Sequence, residues 1–161
     1  MTIDLDGPRC GCGRAGHLEA MASGPAIARM AQQAAATQPT VLLDLAAGDP
    51  SRITAELVDE AARQGDVLAQ EVLARAGFAI GVGVANLLNL LNPGRVIIGG
   101  GVSRAGELLM APIRQTVRSQ AFDRPARDAD IVLAALGDDV GVIGAAAVVF
   151  VRSGRLRRPS G

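Results

Sequence analysis

Lysine is absent, and all sixteen basic residues are arginine. Without a side-chain amine there is no Schiff-base chemistry and no phosphate-loop lysine. Tryptophan and tyrosine are absent too, and three phenylalanines make up the whole aromatic content, 2% of the chain. Nucleic-acid modules that stack bases on aromatic rings therefore have little support. The interior has to be built from Ala, Val, Leu and Ile. Histidine occurs once, at His17, and cysteine twice, at Cys10 and Cys12. A disulfide between residues i and i+2 is badly strained, so the pair reads as reduced thiols in a cytoplasmic protein. A Ser-His-Asp hydrolase would have to use His17, which stands among candidate metal ligands. Sixteen acidic residues balance the sixteen basic ones, leaving no global pull toward nucleic acid or membrane. The N-terminus is polar rather than signal-like. The near-apolar run 78–91 carries two Asn and is too short to cross a bilayer.

What is present is 161 residues, 49% of them hydrophobic, enough for one domain with a sizeable core. Residues 2–6 alternate polar and apolar like the end of a strand, and Gly7-Pro8 breaks them off. Ser23-Gly24-Pro25 starts a helix to about Ala36. The stretch 40–50 reads equally as a helical turn or a strand. Thr54 caps a helix to Gln64, which Gly65 stops, and Asp66 caps the next. That helix carries Leu73, Ile80, Val84, Leu87 and Leu91 and is apolar nearly all round. Such a helix is buried or lies at a subunit interface. Asn92-Pro93-Gly94 ends it. Two apolar strands follow, at 95–101 and 130–136. Between them lies a helix capped near Ser103, with Leu109, Ile113, Val117 and Ala121 in register. A last helix runs from Val140 to Val151 after Asp138-Asp139, which read as a cap rather than a metal site. This order argues an α/β fold with a parallel, buried sheet. One domain covers 1–151, and residues 152–161, with four Arg, read as a basic flexible tail.

The chemistry concentrates in Cys10-Gly11-Cys12-Gly13-Arg14-Ala15-Gly16-His17-Leu18-Glu19. Cys10, Cys12 and His17 are three potential Zn2+ ligands, with glycines that allow a tight knuckle between them. A structural zinc site takes four. The fourth would be water, a carboxylate such as Asp4 or Asp6, or a group outside the chain. The plain alternative is a loop with free thiols. A second motif, Gly99-Gly100-Gly101, follows a strand and precedes a helix. It is either a nucleotide contact, where backbone approaches a ligand closely, or an ordinary tight turn.

Together these stretches resemble the ROK family of bacterial sugar kinases and sugar-responsive repressors. The knuckle looks like the family's C-x-C-G-x-x-G-C-x-E zinc motif, with His17 standing at its third cysteine. Ala22-Ser23-Gly24 with Ala26 looks like the helix start that follows. The segment from Asn92-Pro93 through Ile98-Gly99-Gly100-Gly101-Val102-Ser103 looks like the nucleotide-lobe segment. Gly137-Asp138-Asp139 through Gly144-Ala145-Ala146 looks like the closing helix. The resemblance implies the C-terminal lobe of an actin-like, ribonuclease-H-like ATPase fold with an incomplete parallel or mixed sheet. It implies zinc on Cys10, Cys12 and His17, sugar hydroxyls on Glu19, and ATP passing Gly99, Gly100 and Gly101 with Mg2+. A hexose-type substrate and a homodimer are the implied partners. The family's D-x-G-x-T phosphate motif, its second phosphate motif and its Asn-Asp catalytic pair have no counterpart here, and neither does a helix-turn-helix. The expectation is therefore the C-terminal half of a glucokinase-like sugar kinase, inactive alone. The alternatives are a non-catalytic dimerisation or sugar-sensing module, or a truncated reading frame.

Overall fold

The structure is a computed structural model, and it describes residues 1–154. Its elements are α1 (Leu18–Ala22), α2 (Gly24–Ala35), α3 (Leu42–Leu45), α4 (Ala55–Arg63), α5 (Val67–Leu91), β1 (Arg95–Ile98), α6 (Glu107–Gln120), α7 (Asp123–Asp128), β2 (Asp130–Leu133) and α8 (Val140–Arg152). Three caps read from the sequence form. The Ser23 hydroxyl oxygen accepts from the Ala26 N–H at 3.3 Å, and Thr54 accepts from Leu57 at 3.4 Å. Asp66 does more than cap α5. One carboxylate oxygen accepts from the Ala69 N–H at 2.8 Å, while the other takes the Thr40 hydroxyl and the Val41 N–H, both at 2.9 Å. That second oxygen ties the start of α3 to the start of α5, which settles the ambiguous 40–50 stretch as helix.

α5 is the axis of the molecule. Leu73, Ala76, Ala79, Val84, Ala85 and Leu88 are buried along it. It lies against α6, whose Leu109, Met110, Ile113 and Val117 are also buried. The two helices come close because glycines face the contact. A Cβ on Gly77 would sit 2.6 Å from Pro112 Cγ, and one on Gly81 would sit 2.5 Å from Thr116 Cβ. Pro112 is tolerated inside α6 partly because its ring nests in the space beside Gly77, and Thr116 donates its hydroxyl to the Pro112 carbonyl at 2.8 Å. With its full length, α5 reaches the length and apolarity of a membrane-crossing helix. This exceeds what the shorter run 78–91 suggested. However, 56% of its apolar window is buried inside the protein, the mark of a core helix.

β1 and β2 pair in parallel, Arg95 opposite Asp130 through Ile98 opposite Leu133. Their connection runs through α6 and α7, as parallel strands require. The Arg95 guanidinium and the Asp130 carboxylate close the first rung at 3.0 Å. Val96, Ile98 and Ile131 pack toward the core, while Ile97 faces outward.

Several expectations are corrected. Residues 2–6 form no strand; only Thr2 bridges, antiparallel, to His17. The sheet is not buried on both faces, since Ile97 is 63% exposed. The second strand stops at Leu133. Ser103 does not cap α6. Residues Gly101–Ala105 form a 3-10 turn in which the Ser103 hydroxyl donates to the Gly100 carbonyl at 2.7 Å, and α6 starts after Gly106 at φ +58°. α7 was not foreseen, because its DRPARD sequence has no apolar period. Asp139 precedes α8 but makes no side-chain cap bond. Arg152 closes α8 rather than opening the tail, and the tail reading from 155 onward lies outside the described residues.

Gly81→Ala should lower stability by about 1–3 kcal/mol through overpacking. Gly94→Ala, with nothing within 4 Å of its added Cβ, should be nearly neutral. Urea unfolding of both variants checks this, and equal effects would contradict the close α5–α6 contact.

Candidate functional site

The knuckle is shaped by backbone before any ligand is considered. Arg9 bridges to Ala15, the Cys10 N–H donates to the Arg14 carbonyl at 2.8 Å, and the Gly13 N–H donates to the Cys10 carbonyl at 2.9 Å. This folds residues 9–15 into a small hairpin, with Gly13 at φ +86° in its turn. Gly16 then carries two constraints. It sits at φ +70°, and a Cβ there would overlap the Asp4 carbonyl oxygen. Its own carbonyl accepts from the Ile3 N–H at 2.9 Å, and the Leu18 N–H donates to the Met1 carbonyl at 3.0 Å. The first residues thus clamp the knuckle from one side. Met1 and Leu18 both press on Gly83 of α5, so the knuckle is anchored to the central helix.

These constraints bring Cys10, Cys12 and His17 together. One ligand atom from each lies within 4.8 Å of the others. Cys12 Sγ is 3.2 Å from His17 Nδ1. Tetrahedral zinc with ordinary Zn–S and Zn–N bonds spaces its ligand atoms by roughly 3.6–3.8 Å. The trio therefore fits a zinc ion after small side-chain adjustments. Cys10 is 7% exposed, while Cys12 is open to solvent. Among the described residues no fourth side chain joins the group. Asp4, weighed as a fourth ligand, instead accepts from the Asp6 N–H at 3.0 Å.

Glu19 stands in the first turn of α1, directly behind the knuckle. The Cys10 thiol lies 3.8 Å from its Oε2. Beside it opens a cleft of about 150 Å3 lined by Arg9, Cys10, Glu19, Ser23 and Arg29, among others. The Arg29 guanidinium donates to the Ala20 carbonyl at 2.8 Å and so borders this cleft in a fixed position. A carboxylate acceptor beside guanidinium donors suits a polyhydroxylated ligand.

The glycine triplet contributes to a separate cavity of about 340 Å3. Gly101, Val102 and Arg104 form one wall, Glu56 and Asp59 of α4 another, and Ile27 and Leu73 add apolar surface. Gly100 is at φ +96°, and a Cβ at Gly100 or Gly101 would meet nothing within 4 Å, so backbone faces open space there. Of the three glycines only Gly101 lines the cavity, and a Cβ on Gly99 would come within 3.2 Å of Ala134 Cβ. The Thr54 hydroxyl, then the backbone N–H of Glu56 itself, hold the Glu56 carboxyl below its ordinary pKa. Asp59 pairs with Arg63, Nε to Oδ1 at 3.0 Å, in a geometry that leaves Oδ1 without a hydrogen bond. Ser23 and Pro25 line the cleft by Glu19 while Gly24 lines this cavity, so the two lie on either side of the start of α2. Sequence reasoning missed α4 as a wall; it read only a helix from Thr54 to Gln64.

The ROK family profile matches residues 1–151. The crystal structure of a ROK family glucokinase from Streptomyces griseus, in complex with glucose and AMPPNP, superposes with a TM-score of 0.82 at 39% identity. The match covers 92% of this chain and 49% of that one. A glucokinase from Thermotoga maritima is 36% identical over 154 residues, 96% of this chain and 49% of its own length. The DNA-binding transcriptional repressor Mlc of Escherichia coli is 33% identical over 120 residues, 74% of this chain and 28% of its own. The fold is that of the actin-like ATPases. Within that class, the chain belongs to the ROK family. It spans about half the length of the curated glucokinases it matches.

Gly16→Ala should cost the knuckle its clamp on residues 1–4. The expected result is a destabilisation of about 2 kcal/mol or more, from combined overlap and left-handed backbone. Amide exchange should be faster at Ile3 and Leu18, and unchanged exchange at those amides would contradict the clamp.

Proposed function

We propose that this chain is the zinc- and sugar-contacting half of a ROK-family ATP-dependent hexose kinase of glucokinase type, the C-terminal lobe. The observation that carries the reading is the placement of two cavities on either side of the start of α2. One holds the Glu19 carboxylate and the other the open backbone at Gly101. A phosphoryl donor and a hydroxyl acceptor have to approach each other in such a cleft. The similarity to a glucokinase captured with glucose and a nucleotide analogue supports the same division.

In this reading Glu19 accepts hydrogen bonds from vicinal sugar hydroxyls, and the fixed Arg29 borders the same cleft. Gly100 and Gly101 let the nucleotide ring lie against backbone, with Val102, Ile27 and Leu73 as apolar surface. Gly99 serves the turn, close beside Ala134. Cys10, Cys12 and His17 hold a structural zinc, which when bound would fix the knuckle as a rigid support. Glu19 gains from this indirectly. A thiol at Cys10 donates to Glu19, whereas a metal-bound thiolate has no proton to donate, so the carboxylate is left free for sugar. Mg2+ accompanies ATP. No residue of this chain is assigned as the base that removes the sugar proton, and the chain alone is inactive. We place it in the cytoplasm as a homodimer.

A second reading, a sugar-sensing module without catalysis, draws on the likeness to Mlc. Both readings keep Glu19 as the sugar contact, and phosphoryl transfer separates them.

Two outcomes test the proposal. Metal analysis of the purified chain should give roughly one zinc per chain, falling steeply in Cys10→Ser and Cys12→Ser; a metal-free wild-type chain would remove the zinc assignment. Glu19→Gln should weaken glucose binding by about tenfold, one charge-assisted hydrogen bond, when read by calorimetry or ligand-observed NMR. Unchanged binding would remove Glu19 from the sugar site.

A further inference from the structure

A third cleft, of about 640 Å3, lies between α1, α2 and the middle of α5. Its volume falls within the range of small-molecule sites, about 300–1,000 Å3. Much of its lining is apolar. Met21 of α1, Met30 of α2 and Phe78 of α5 line it together with Pro8. Phe78 is 53% exposed, so one of the chain's three aromatic rings is given to this wall instead of the core. A lone exposed phenylalanine needs no explanation, but a ring and two thioethers gathered in one concavity form a patch. Thioethers also re-pack readily around ligands of irregular shape.

The polar part of the lining carries charge of one sign. Arg29 and Arg75 line the cleft with the neutral Gln33, and no acidic residue does. The charge of the whole chain is balanced, sixteen against sixteen, so the excess is local. Arg29 donates one N–H to the Ala20 carbonyl at 2.8 Å, which holds its guanidinium at the rim with further donors to spare. Arg75 makes no hydrogen bond or ion pair among the described residues, not even with Glu71 one turn earlier on α5. Guanidinium groups pair with carboxylates through two parallel bonds.

We propose that this cleft is a second ligand site, and that it takes a small amphiphilic carboxylate. An apolar chain or ring lies on Met21, Met30 and Phe78, and the carboxylate meets the guanidinium groups of Arg75 and Arg29. The charge selects the head group, and the thioether and ring surface selects the body. A neutral sugar leaves an acid-free pair of arginines unused, and a bare inorganic anion leaves the apolar surface unused. A lipid surface calls for a broad basic face, which a chain of balanced charge does not offer. The ligand needs neither the Glu19 carboxylate nor the glycine loop, so the inference stands apart from the kinase reading. Ala20 and Arg29 also line the cleft beside Glu19, whereas Arg75 and Phe78 do not. Arg75 and Phe78 are therefore the positions to vary.

The probe is octanoate, titrated into the full chain by calorimetry and by NMR of the methionine methyl groups. The expected result is saturable one-to-one binding with a Kd of about 1 mM or below, the scale for a ligand of about ten non-hydrogen atoms. The Met21 and Met30 methyl signals should shift, while that of Met110, wholly buried in the core, should not. Octan-1-ol, a similar body without the charge, should bind at least about fivefold more weakly, and Arg75→Gln should remove that preference. Phe78→Asp should weaken octanoate at least about tenfold. Both side chains are exposed, so the unfolding midpoint of each variant should stay put and a folding defect would be visible apart from a binding defect. Any of four results overturns the proposal. The first is no saturable octanoate binding up to about 10 mM. The second is binding that both variants leave untouched. The third is displacement of octanoate by an equal concentration of inorganic phosphate, which would reduce the cleft to a charge contact. The fourth is self-association of the chain, or binding to phosphatidylglycerol vesicles, that Phe78→Asp abolishes and octanoate does not compete with. That outcome would give the cleft to a second copy or to a membrane. Glucose binding is not among the readouts, so a failure of the Glu19 assignment and a failure of this site remain distinct results.

Discussion

Backbone-close contact between α5 and α6 is the constraint on which the rest of the structure depends. A chain without Trp or Tyr cannot fill space with large rings, so its elements have to approach closely and fill with small residues. Gly77 and Gly81 are where this happens, against Pro112 and Thr116. With α6 seated there, the crossover that makes β1 and β2 parallel has its direction. Gly83, further along α5, receives Met1 and Leu18, and so places the knuckle. The helix whose composition marks it as buried or at a subunit interface is the spine to which each candidate site is attached.

The site follows from that spine through local covalent geometry. Glu19 is set by α1, α1 is set by His17 and the Thr2 bridge, and the knuckle is closed by a glycine whose φ only glycine tolerates cheaply. Three ligand atoms converge without any metal being needed to explain the backbone path. A preformed trio loses less conformational entropy on binding a metal than three independent side chains would. In the proposed zinc site, an imidazole ligand from His17 in place of a thiolate would bring one negative charge fewer. It also leaves Cys10 as the buried sulfur next to Glu19.

Much of this was legible in the sequence, and the reasons differ by element. Ser23, Thr54 and Asp66 announced helix starts because a capping oxygen is a local requirement, satisfied three residues on. The α5 and α6 periods were legible because they recur over many turns. The glycine triplet was legible as a loop, but not the division within it. Which of the three glycines lines the cavity depends on the neighbouring strand, which is remote in sequence. The same limit hid α4 as a cavity wall and the second bond of Asp66 to Thr40. The 2–6 stretch failed for a related reason. Its alternation is genuine, but a strand needs a partner along its length, and among the described residues only Thr2 has one.

The three phenylalanines close the argument about what the interior is. Phe78, Phe122 and Phe150 are 53%, 69% and 41% exposed, so none of the few aromatic rings is spent on the core. Burying a large apolar side chain is worth about 1.5–3 kcal/mol. Together with Val142, Val149, Ile97, Leu90 and Leu91, the outward apolar set represents on the order of 10 kcal/mol of burial not realised in this chain. That is comparable with the whole net stability of an ordinary domain, about 5–15 kcal/mol. A core of Ala, Val, Leu and Ile around α5 and α6 holds the fold's shape, while α8 and Ile97 of the sheet keep apolar side chains outside it.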